Sequence, residues 1–178
     1  MKIFGPNTLR NKAKTAKSVS LIIITAMTAI FAANNVLANE DALPLQMVVV
    51  VDQAKGKAVL KGHYENAVAY LTKKDADYFA QSTNLCVAYT KLQEFDQATI
   101  SCDKAVELGG LKAEKSNRSN QRTRNREFAL ALSNKGVLLA ISGKTEGAAR
   151  EFERAIALDT SLREPGKNLS ALMKTTSS

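Results

Sequence analysis

The sequence has few of the histidine and cysteine side chains that metal sites and many nucleophilic active sites use. Its 178 residues include one histidine, two cysteines and no tryptophan. One histidine and two cysteines distant from it do not provide the ligand set of a zinc site. The sequence also contains no Walker loop, no GxGxxG turn and no HExxH helix, the patterns that indicate nucleotide or metal chemistry. We therefore expect a protein that is not an enzyme and that holds neither a cofactor nor a metal ion.

His63 would have to serve any histidine-dependent mechanism. It lies beside Gly62 in a predicted turn, and no nucleophile motif accompanies it, so a Ser-His-Asp or Cys-His arrangement lacks its other members. We interpret His63 as a solvated turn residue. Glu146, Glu151 and Glu153 are interpreted in the same way, as the solvated face of a helix.

Only one long apolar run occurs, and it lies near the N-terminus. It covers the 13 residues from Leu21 to Ala33, whereas a membrane-spanning helix needs about 20. Basic residues without any acid precede it, and small residues around Ala38 follow it, which is the order of a secretory signal. We predict that residues 1–38 are a signal peptide cleaved after Ala38 and that the protein is exported to the periplasm. An uncleaved anchor and a fortuitous apolar N-terminus are the alternatives.

The predicted signal peptide accounts for much of the positive charge. The whole chain carries 25 Lys and Arg against 17 Asp and Glu, a net charge of +8. Five of the basic residues and none of the acids lie in residues 1–38, so residues 39–178 carry a net charge of +3. That charge does not indicate a nucleic-acid partner. A segment of this length suits one domain with a modest core.

Three short echoes of one pattern organise residues 39–178. They are Gly62-x-Tyr64-x-x-Ala67, Gln93-x-Phe95-x-x-Ala98 and Gly143-x-Thr145-x-x-Ala148. Each echo lies between two segments in which apolar residues recur at helical spacing, and the abundant Ala, Leu, Lys and Glu also favour helix. We expect a helical hairpin at each echo, with the small alanine letting the two helices approach closely.

The second and third echoes belong to longer patterns. The second extends through Asn84, Leu85, Tyr89, Ala105 and Leu108, and the third through Asn134, Gly136, Leu139, Phe152, Ala155, Leu158 and Asp159. At these spacings the chain resembles tetratricopeptide repeat proteins, whose units of about 34 residues are antiparallel helix pairs. The resemblance implies an all-α fold, a right-handed solenoid of about three helix hairpins followed by a C-terminal capping helix.

The predicted repeats are unevenly spaced. Ala67 and Ala98 lie 31 residues apart, whereas Ala98 and Ala148 lie 50 apart, because a basic polar insert separates the last two repeats. The predicted divisions are an extended lead-in at 39–47, a degenerate first repeat at 48–78, a second repeat at 79–110, the insert at 111–125, a third repeat at 126–160, and the capping helix and tail at 161–178.

The positions of glycine, proline and valine support three predictions of local structure. Gly109-Gly110 should end a helix, because glycine takes the left-handed cap conformation without penalty. Pro165 should lie in the first turn of the last helix, where its missing N–H costs nothing. The β-branched run Val48–Val51 favours a strand, but no second strand is evident. We expect there either an extended stretch or a poor first helical turn.

Cys86 and Cys102 should face each other across the hairpin of the second repeat. They lie 16 residues apart, with the predicted turn midway between them. Disulfides persist in exported proteins, and a bridge that closes a loop of this size stabilises by about 3 kcal/mol. The alternative is two buried thiols that act as small apolar side chains.

The family resemblance also implies a working surface. In the family, side chains from the first helix of each pair line a concave groove that binds a partner. The inner positions of the groove are occupied by Thr83, Val87, Ser133 and Val137. We therefore do not expect the Lys/Asn clamp with which some members bind a terminal carboxylate. We expect an uncharged or apolar partner segment instead. The alternative is that the insert or a second copy of the chain fills the groove. The predicted groove residues are Ala80, Thr83, Asn84, Val87, Lys91, Leu130, Ser133, Asn134, Val137 and Ile141.

These features together predict a non-catalytic interaction or scaffold protein of the cell envelope, with a protein as its partner. The basic insert offers an alternative function. It suits an acidic partner or an anionic membrane surface, but no aromatic residues interleave its charges as in binders of single-stranded nucleic acid. The alternative interpretation is that the insert is a solvated loop whose C-terminal part prolongs the next helix. Its basic residues are Lys112, Lys115, Arg118, Arg122, Arg124 and Arg126.

Overall fold

A computed structural model describes residues 44–73 and 78–176 of the chain. The predicted signal peptide at 1–38 lies outside the described residues. Helices, turns and one extended segment account for the described ranges, which contain no strand, and this confirms the all-α prediction. Within these ranges no helix combines the length and the apolar character needed to cross a membrane.

The described ranges contain seven helices. They are α1 Gly56–Leu60, α2 Tyr64–Leu71, α3 Phe79–Lys91, α4 Phe95–Glu114, α5 Gln121–Ile141, α6 Thr145–Leu158 and α7 Glu164–Thr176. Each helix packs against the next one in sequence, and α3 and α7 both also contact α5. The odd-numbered helices therefore form a row of neighbours, with the even-numbered helices packed between them along the chain. Pro165 lies in the first turn of α7, as predicted.

The three echoes all form turns of the same geometry. Gly62, Gln93 and Gly143 adopt left-handed backbone conformations, with φ of 81°, 61° and 75°. In each turn the N–H of the residue that follows reaches back five positions to a helix carbonyl, as in the bond from Lys144 to Leu139 at 2.8 Å. This bond satisfies a carbonyl that the end of a helix otherwise leaves unpaired. The pattern read from the sequence therefore marks the helix-to-helix turns.

The alanine of each echo is buried in the first turn of the helix that follows. Ala67, Ala98 and Ala148 are fully buried, and each donates its N–H to the carbonyl of the residue just before its helix, at 2.9–3.0 Å. A larger side chain at these positions would force the helices apart. Their burial is what the sequence predicts for these alanines, whereas the close approach of the two helices stays a prediction.

The disulfide links α3 to α4. The sulfur atoms of Cys86 and Cys102 are bonded, and their Cα atoms lie 4.7 Å apart. Both residues are fully buried. The bond therefore joins the two helices of this hairpin inside the core. The described residues include no free cysteine.

The basic insert is mostly helical. The prediction that Gly109-Gly110 end a helix was wrong, because α4 continues through them to Glu114. A Cβ on Gly109 would lie 3.1 Å from the Cα of Phe128 and 3.3 Å from the ring of Phe79. These glycines therefore let α5 approach α4 closely instead of ending α4. The insert lengthens both helices and leaves a short connection between them.

The chain before α1 is extended, and this resolves the ambiguity at Val48–Val51. Residues 44–50 carry no regular secondary structure, so the first four residues of the predicted first repeat are not helical. Ala54 and Lys55 follow in left-handed conformations, with φ of 45° and 56°. Gly56 then packs against the backbone of Val50, where a Cβ would lie 1.9 Å from the carbonyl oxygen. The extended segment, residues 44–51, is thus folded back tightly onto the start of α1.

Candidate functional site

Three asparagines on the odd-numbered helices hold the extended segment. Asn84 lies on α3, Asn134 on α5 and Asn168 on α7. Each side-chain amide pairs with both the N–H and the carbonyl of a single residue of the segment, as two backbone groups pair in a sheet. We call this set of three side chains the asparagine ladder.

The ladder contacts every second residue of the segment. The Oδ1 atom of Asn134 accepts from the N–H of Val48 at 2.7 Å, and its Nδ2 donates to the Val48 carbonyl at 2.8 Å. Asn168 makes the same two bonds to Gln46, both at 2.8 Å. Alternate residues of an extended chain present their backbone groups in the same direction, so one amide meets each of them.

Asn84 completes the ladder and also holds the turn that follows. It accepts from the N–H of Val50 at 2.9 Å and donates to the Val50 carbonyl at 3.0 Å. Its Nδ2 also lies within bonding distance of the carbonyls of Gln53, at 3.2 Å, and Ala54, at 3.0 Å. The residues contacted along the ladder from α3 to α7 are 50, 48 and 46, so the segment runs against the order of the helices.

The three ladder amides are among the most buried polar groups of the protein. Asn84 and Asn168 are fully buried, and Asn134 is 1% exposed. A buried amide without partners costs about 1–3 kcal/mol for each unsatisfied group. Because the backbone of the segment supplies both partners in every case, occupation of the ladder offsets that cost.

Apolar side chains of the segment fill the spaces between the ladder amides. Met47 packs against three separate core clusters, and Val49 packs beside Val87. Leu45 packs against the cluster that includes Val137. By contrast, Gln46 is exposed. Val50 also packs against a core cluster, that of Phe79, Ala105 and Ala131. The segment therefore binds through its backbone and its apolar side chains, with at least one side chain facing the solvent.

The structure brings four of the ten predicted groove residues directly to this site. Asn84 and Asn134 bind the backbone of the segment, and Val87 and Val137 lie in the clusters against which it packs. Lys91 is exposed at the rim, in a cleft of about 490 Å³ that Tyr64, Glu164 and the segment also line.

Among the described residues, no hydrogen bond or core cluster joins the other five predicted groove residues to the segment. Thr83 donates its hydroxyl to the carbonyl of Phe79 at 2.7 Å. Leu130 packs against the cluster that contains Leu162, and Ile141 is 49% exposed. Ala80 and Ser133 are buried.

Sequence reasoning missed Asn168 and the occupant of the groove. A signal for Asn168 was present, because it follows Asn134 by 34 positions, the period of the repeat. The sequence predicts a groove that is open, or filled by the insert or by a second copy. In the structure, residues 44–51, which belong to the predicted lead-in and first repeat, lie against Asn84, Asn134 and the clusters of Val87 and Val137.

Part of the charge of the basic insert is neutralised within the fold. The carboxylate of Glu127 lies 2.8 Å from the guanidinium of Arg124 and 3.7 Å from the ammonium of Lys112. Arg126 lies 3.4 Å from Asp159. Lys115, Arg118 and Arg122 are exposed, and no acidic side chain of the described ranges lies within ion-pair distance of them.

Asp159 anchors the base of the insert to the end of α6. The hydroxyl and the backbone N–H of Ser161 donate to its Oδ1 atom at 2.6 and 2.9 Å. Hydrogen bonds from Ser161 and the positive charges of Arg126 and Arg122 hold the pKa of Asp159 below its ordinary value, although burial opposes them. Asp159 is therefore a structural carboxylate that stays ionised.

In residues 44–73 and 78–176, the remaining chemistry-bearing groups do not assemble into a site. His63 is exposed beside the first turn. Among the described residues, no cluster of three or more His, Cys, Asp or Glu is placed to hold a metal ion. The asparagine ladder with its bound segment is thus the most developed candidate site, and its chemistry is backbone recognition.

Comparisons with known proteins return no relative. No protein-family model matches the chain, and neither a curated protein nor a solved structure matches it.

Proposed function

We propose that this protein is a non-catalytic interaction module of the cell envelope, which binds an extended segment of a partner protein in the groove of α3, α5 and α7. One observation carries the proposal, namely that three buried amides each pair with both backbone groups of a residue in an extended chain. Such pairing is the main-chain part of peptide recognition by strand-like addition.

The ladder suits a partner that is recognised by its backbone more than by its side chains. A side-chain amide offers one donor and one acceptor at fixed separation, which matches any non-proline residue in an extended conformation. The apolar clusters around Val87 and Val137 add a preference for apolar side chains on one edge. Affinity would come from both the backbone hydrogen bonds and the apolar contacts, and sequence preference mainly from the apolar contacts.

The tetratricopeptide-like solenoid is part of the proposal. The three turns of equal geometry and the packing of each helix against the next support it. So does the 34-residue interval between Asn134 and Asn168. Stacked helix pairs create extended concave surfaces that bind partners, and the ladder lies along such a row of helices. The envelope location rests on the order of basic, apolar and small residues at 1–38.

The alternative function is binding of an anionic membrane surface or polyanion through the insert. It rests on Lys115, Arg118 and Arg122, which are exposed near the connection between α4 and α5. Lys112, Arg124 and Arg126 already have acidic partners. The charge left for an external anion is therefore smaller than the sequence alone indicates, and this favours the groove.

The experiment that separates the two functions is affinity capture from envelope extract with three immobilised proteins. These are the wild type, a ladder variant, Asn134→Ala, and an insert variant, Arg118→Glu/Arg122→Glu. A partner retained by the wild type and the insert variant but lost from the ladder variant supports the groove. Loss only from the insert variant favours the alternative, and equal capture by all three contradicts both. Circular dichroism of each variant checks that the helices are intact.

A further inference from the structure

The groove is already occupied by the chain itself. We propose that residues 44–51 are a built-in competitor, and that a partner binds by displacing them with an extended segment of the same backbone pattern. This inference rests on the proposed function, because it assumes that a partner uses the groove. It adds the chemistry of the partner segment and the way in which access to the groove is controlled.

The way the segment is held makes it releasable. Within the described ranges, its hydrogen bonds run to the side chains of Asn84, Asn134 and Asn168, and no backbone-to-backbone bond joins residues 44–52 to the rest of the fold. Displacement therefore breaks no helical hydrogen bond. A partner with the same pattern replaces the two bonds that each ladder amide makes to Gln46, Val48 or Val50, so the exchange leaves no ladder amide without partners.

The turn after the segment defines where the release would stop. Ala54 and Lys55 are consecutive non-glycine residues in the left-handed region, a conformation that L-residues adopt at a cost. The ammonium of Lys55 lies 4.3 Å from the centroid of the Tyr70 ring, which ties it to α2. The hinge therefore lies just before Lys55, and opening it relieves strain at Ala54 while leaving α1 in place.

The bound segment also specifies what can replace it. Residues at the positions of Gln46, Val48 and Val50 must have an N–H, which excludes proline there. Side chains at the positions of Leu45, Met47 and Val49 must be apolar, because they meet core clusters. The exposed position of Gln46 tolerates a polar side chain. The side chain at the position of Val50 must be apolar as well, because it meets a further core cluster. The partner is thus an extended segment that is apolar at these four positions and tolerates a polar residue at that of Gln46.

Tethering makes the competition strong. A segment attached by a short connection has an effective concentration of the order of millimolar at its own site. The apparent affinity for a partner is then reduced by the fraction of molecules in which the groove is open. Changes that weaken the attached segment should therefore strengthen binding of a free one, although they add no contact to it.

The test uses the purified protein and a fluorescent peptide with the sequence of residues 44–53, followed by anisotropy. The variant Val48→Pro/Val50→Pro removes two N–H donors to the ladder, while an extended backbone still accommodates proline. A second variant, Gly56→Ala, acts from outside the groove, since its Cβ would lie 1.9 Å from the carbonyl oxygen of Val50. The matched control, Gln46→Ala, shortens an exposed side chain of the segment and keeps its N–H.

We expect both opening variants to bind the peptide at least about ten-fold more tightly than the wild type, and the control to match the wild type. Adding Asn134→Ala to an opening variant should abolish the gain, as should N-methylation of the peptide at its Val48 and Val50 positions. Equal binding by the wild type and both opening variants overturns the competitor role. It leaves the proposed function intact if an envelope partner still depends on Asn134.

A second copy of the chain is the other conceivable occupant. Exchange of the segment between two copies predicts a dimer that grows with protein concentration and disappears in Val48→Pro/Val50→Pro. Sedimentation of the wild type detects it. Such a dimer would overturn displacement by a partner, whereas a wild type that stays monomeric across the concentration range supports it.

Discussion

Asn134 and Val48, 86 positions apart, are joined by two hydrogen bonds of 2.7 and 2.8 Å that use both backbone groups of Val48 and both ends of the amide. This pair lies at the middle of the ladder. It couples stability to occupancy of the groove, because removing either partner leaves the other unsatisfied.

Replacing Asn134 by alanine should lower the free energy of unfolding by about 1–3 kcal/mol. The N–H and the carbonyl of Val48 lose their partners in a partly buried place. Urea denaturation measures the loss. Asn66→Ala is the control, since Asn66 is exposed on α2 and its replacement should change stability by less than about 0.5 kcal/mol. Equal values for the two variants would contradict a structural role for the ladder.

Breaking the disulfide should lower the free energy of unfolding by about 3 kcal/mol, because the bond restricts a loop with a sequence separation of 16 in the unfolded chain. Urea denaturation with and without a reducing agent measures the effect. The variant Cys86→Ala/Cys102→Ala should be less stable than the oxidised wild type and should not respond to the reductant. If reduction of the wild type leaves the midpoint of urea unfolding unchanged, the disulfide does not stabilise the fold.

Gly143→Ala should destabilise the protein by about 1–2 kcal/mol, since alanine at a φ of 75° lies in the left-handed region. The cost is conformational, because nothing lies within 4 Å of a Cβ placed there. Gly166→Ala is the matched control: its Cβ also meets open space, but it lies in α7, where alanine favours the helix. Thermal unfolding should therefore shift in opposite directions for the two variants, and shifts of the same sign would refute this explanation.

The variant Asp159→Asn should be less stable than the wild type at neutral pH, and the difference should disappear in acid. The pKa of Asp159 is lowered in the folded state, mainly by the hydrogen bond from Ser161. Stability from such a group is present above the unfolded pKa of about 3.9 and is lost as the pH falls through the folded value. Urea denaturation at a series of pH values measures the difference. A difference that does not vary with pH would exclude this role for ionised Asp159.

The turns and the disulfide could be predicted because their determinants are local. Gly62 and Gly143 adopt conformations that glycine favours, and the small alanines follow at a fixed interval. Cys86 and Cys102 lie at mirrored distances from one turn, so pairing of α3 with α4 brings them together. Gly109 shows where such reasoning fails. A glycine ends a helix only when nothing else fixes its conformation, and here the close approach of Phe128 keeps it helical.

The occupant of the groove could not be predicted from the sequence for a different reason. Val48 and Val50 have the propensity of a strand, but no second strand to pair with them is evident in the sequence. Their partners are side chains 34 and 86 positions away. An asparagine on a helix gives no local indication that its amide will substitute for a neighbouring strand.

The bonds between Gln46 and Asn168 span 122 positions, from the beginning of the described chain almost to its end. The turns and the disulfide need only neighbouring helices, whereas this contact requires α7 to be in place. We expect a chain truncated before Asn168 to keep its hairpins, but to hold the extended segment by two asparagines of the ladder instead of three. The tightness with which the extended segment is held is therefore a readout of whether α7 is in place.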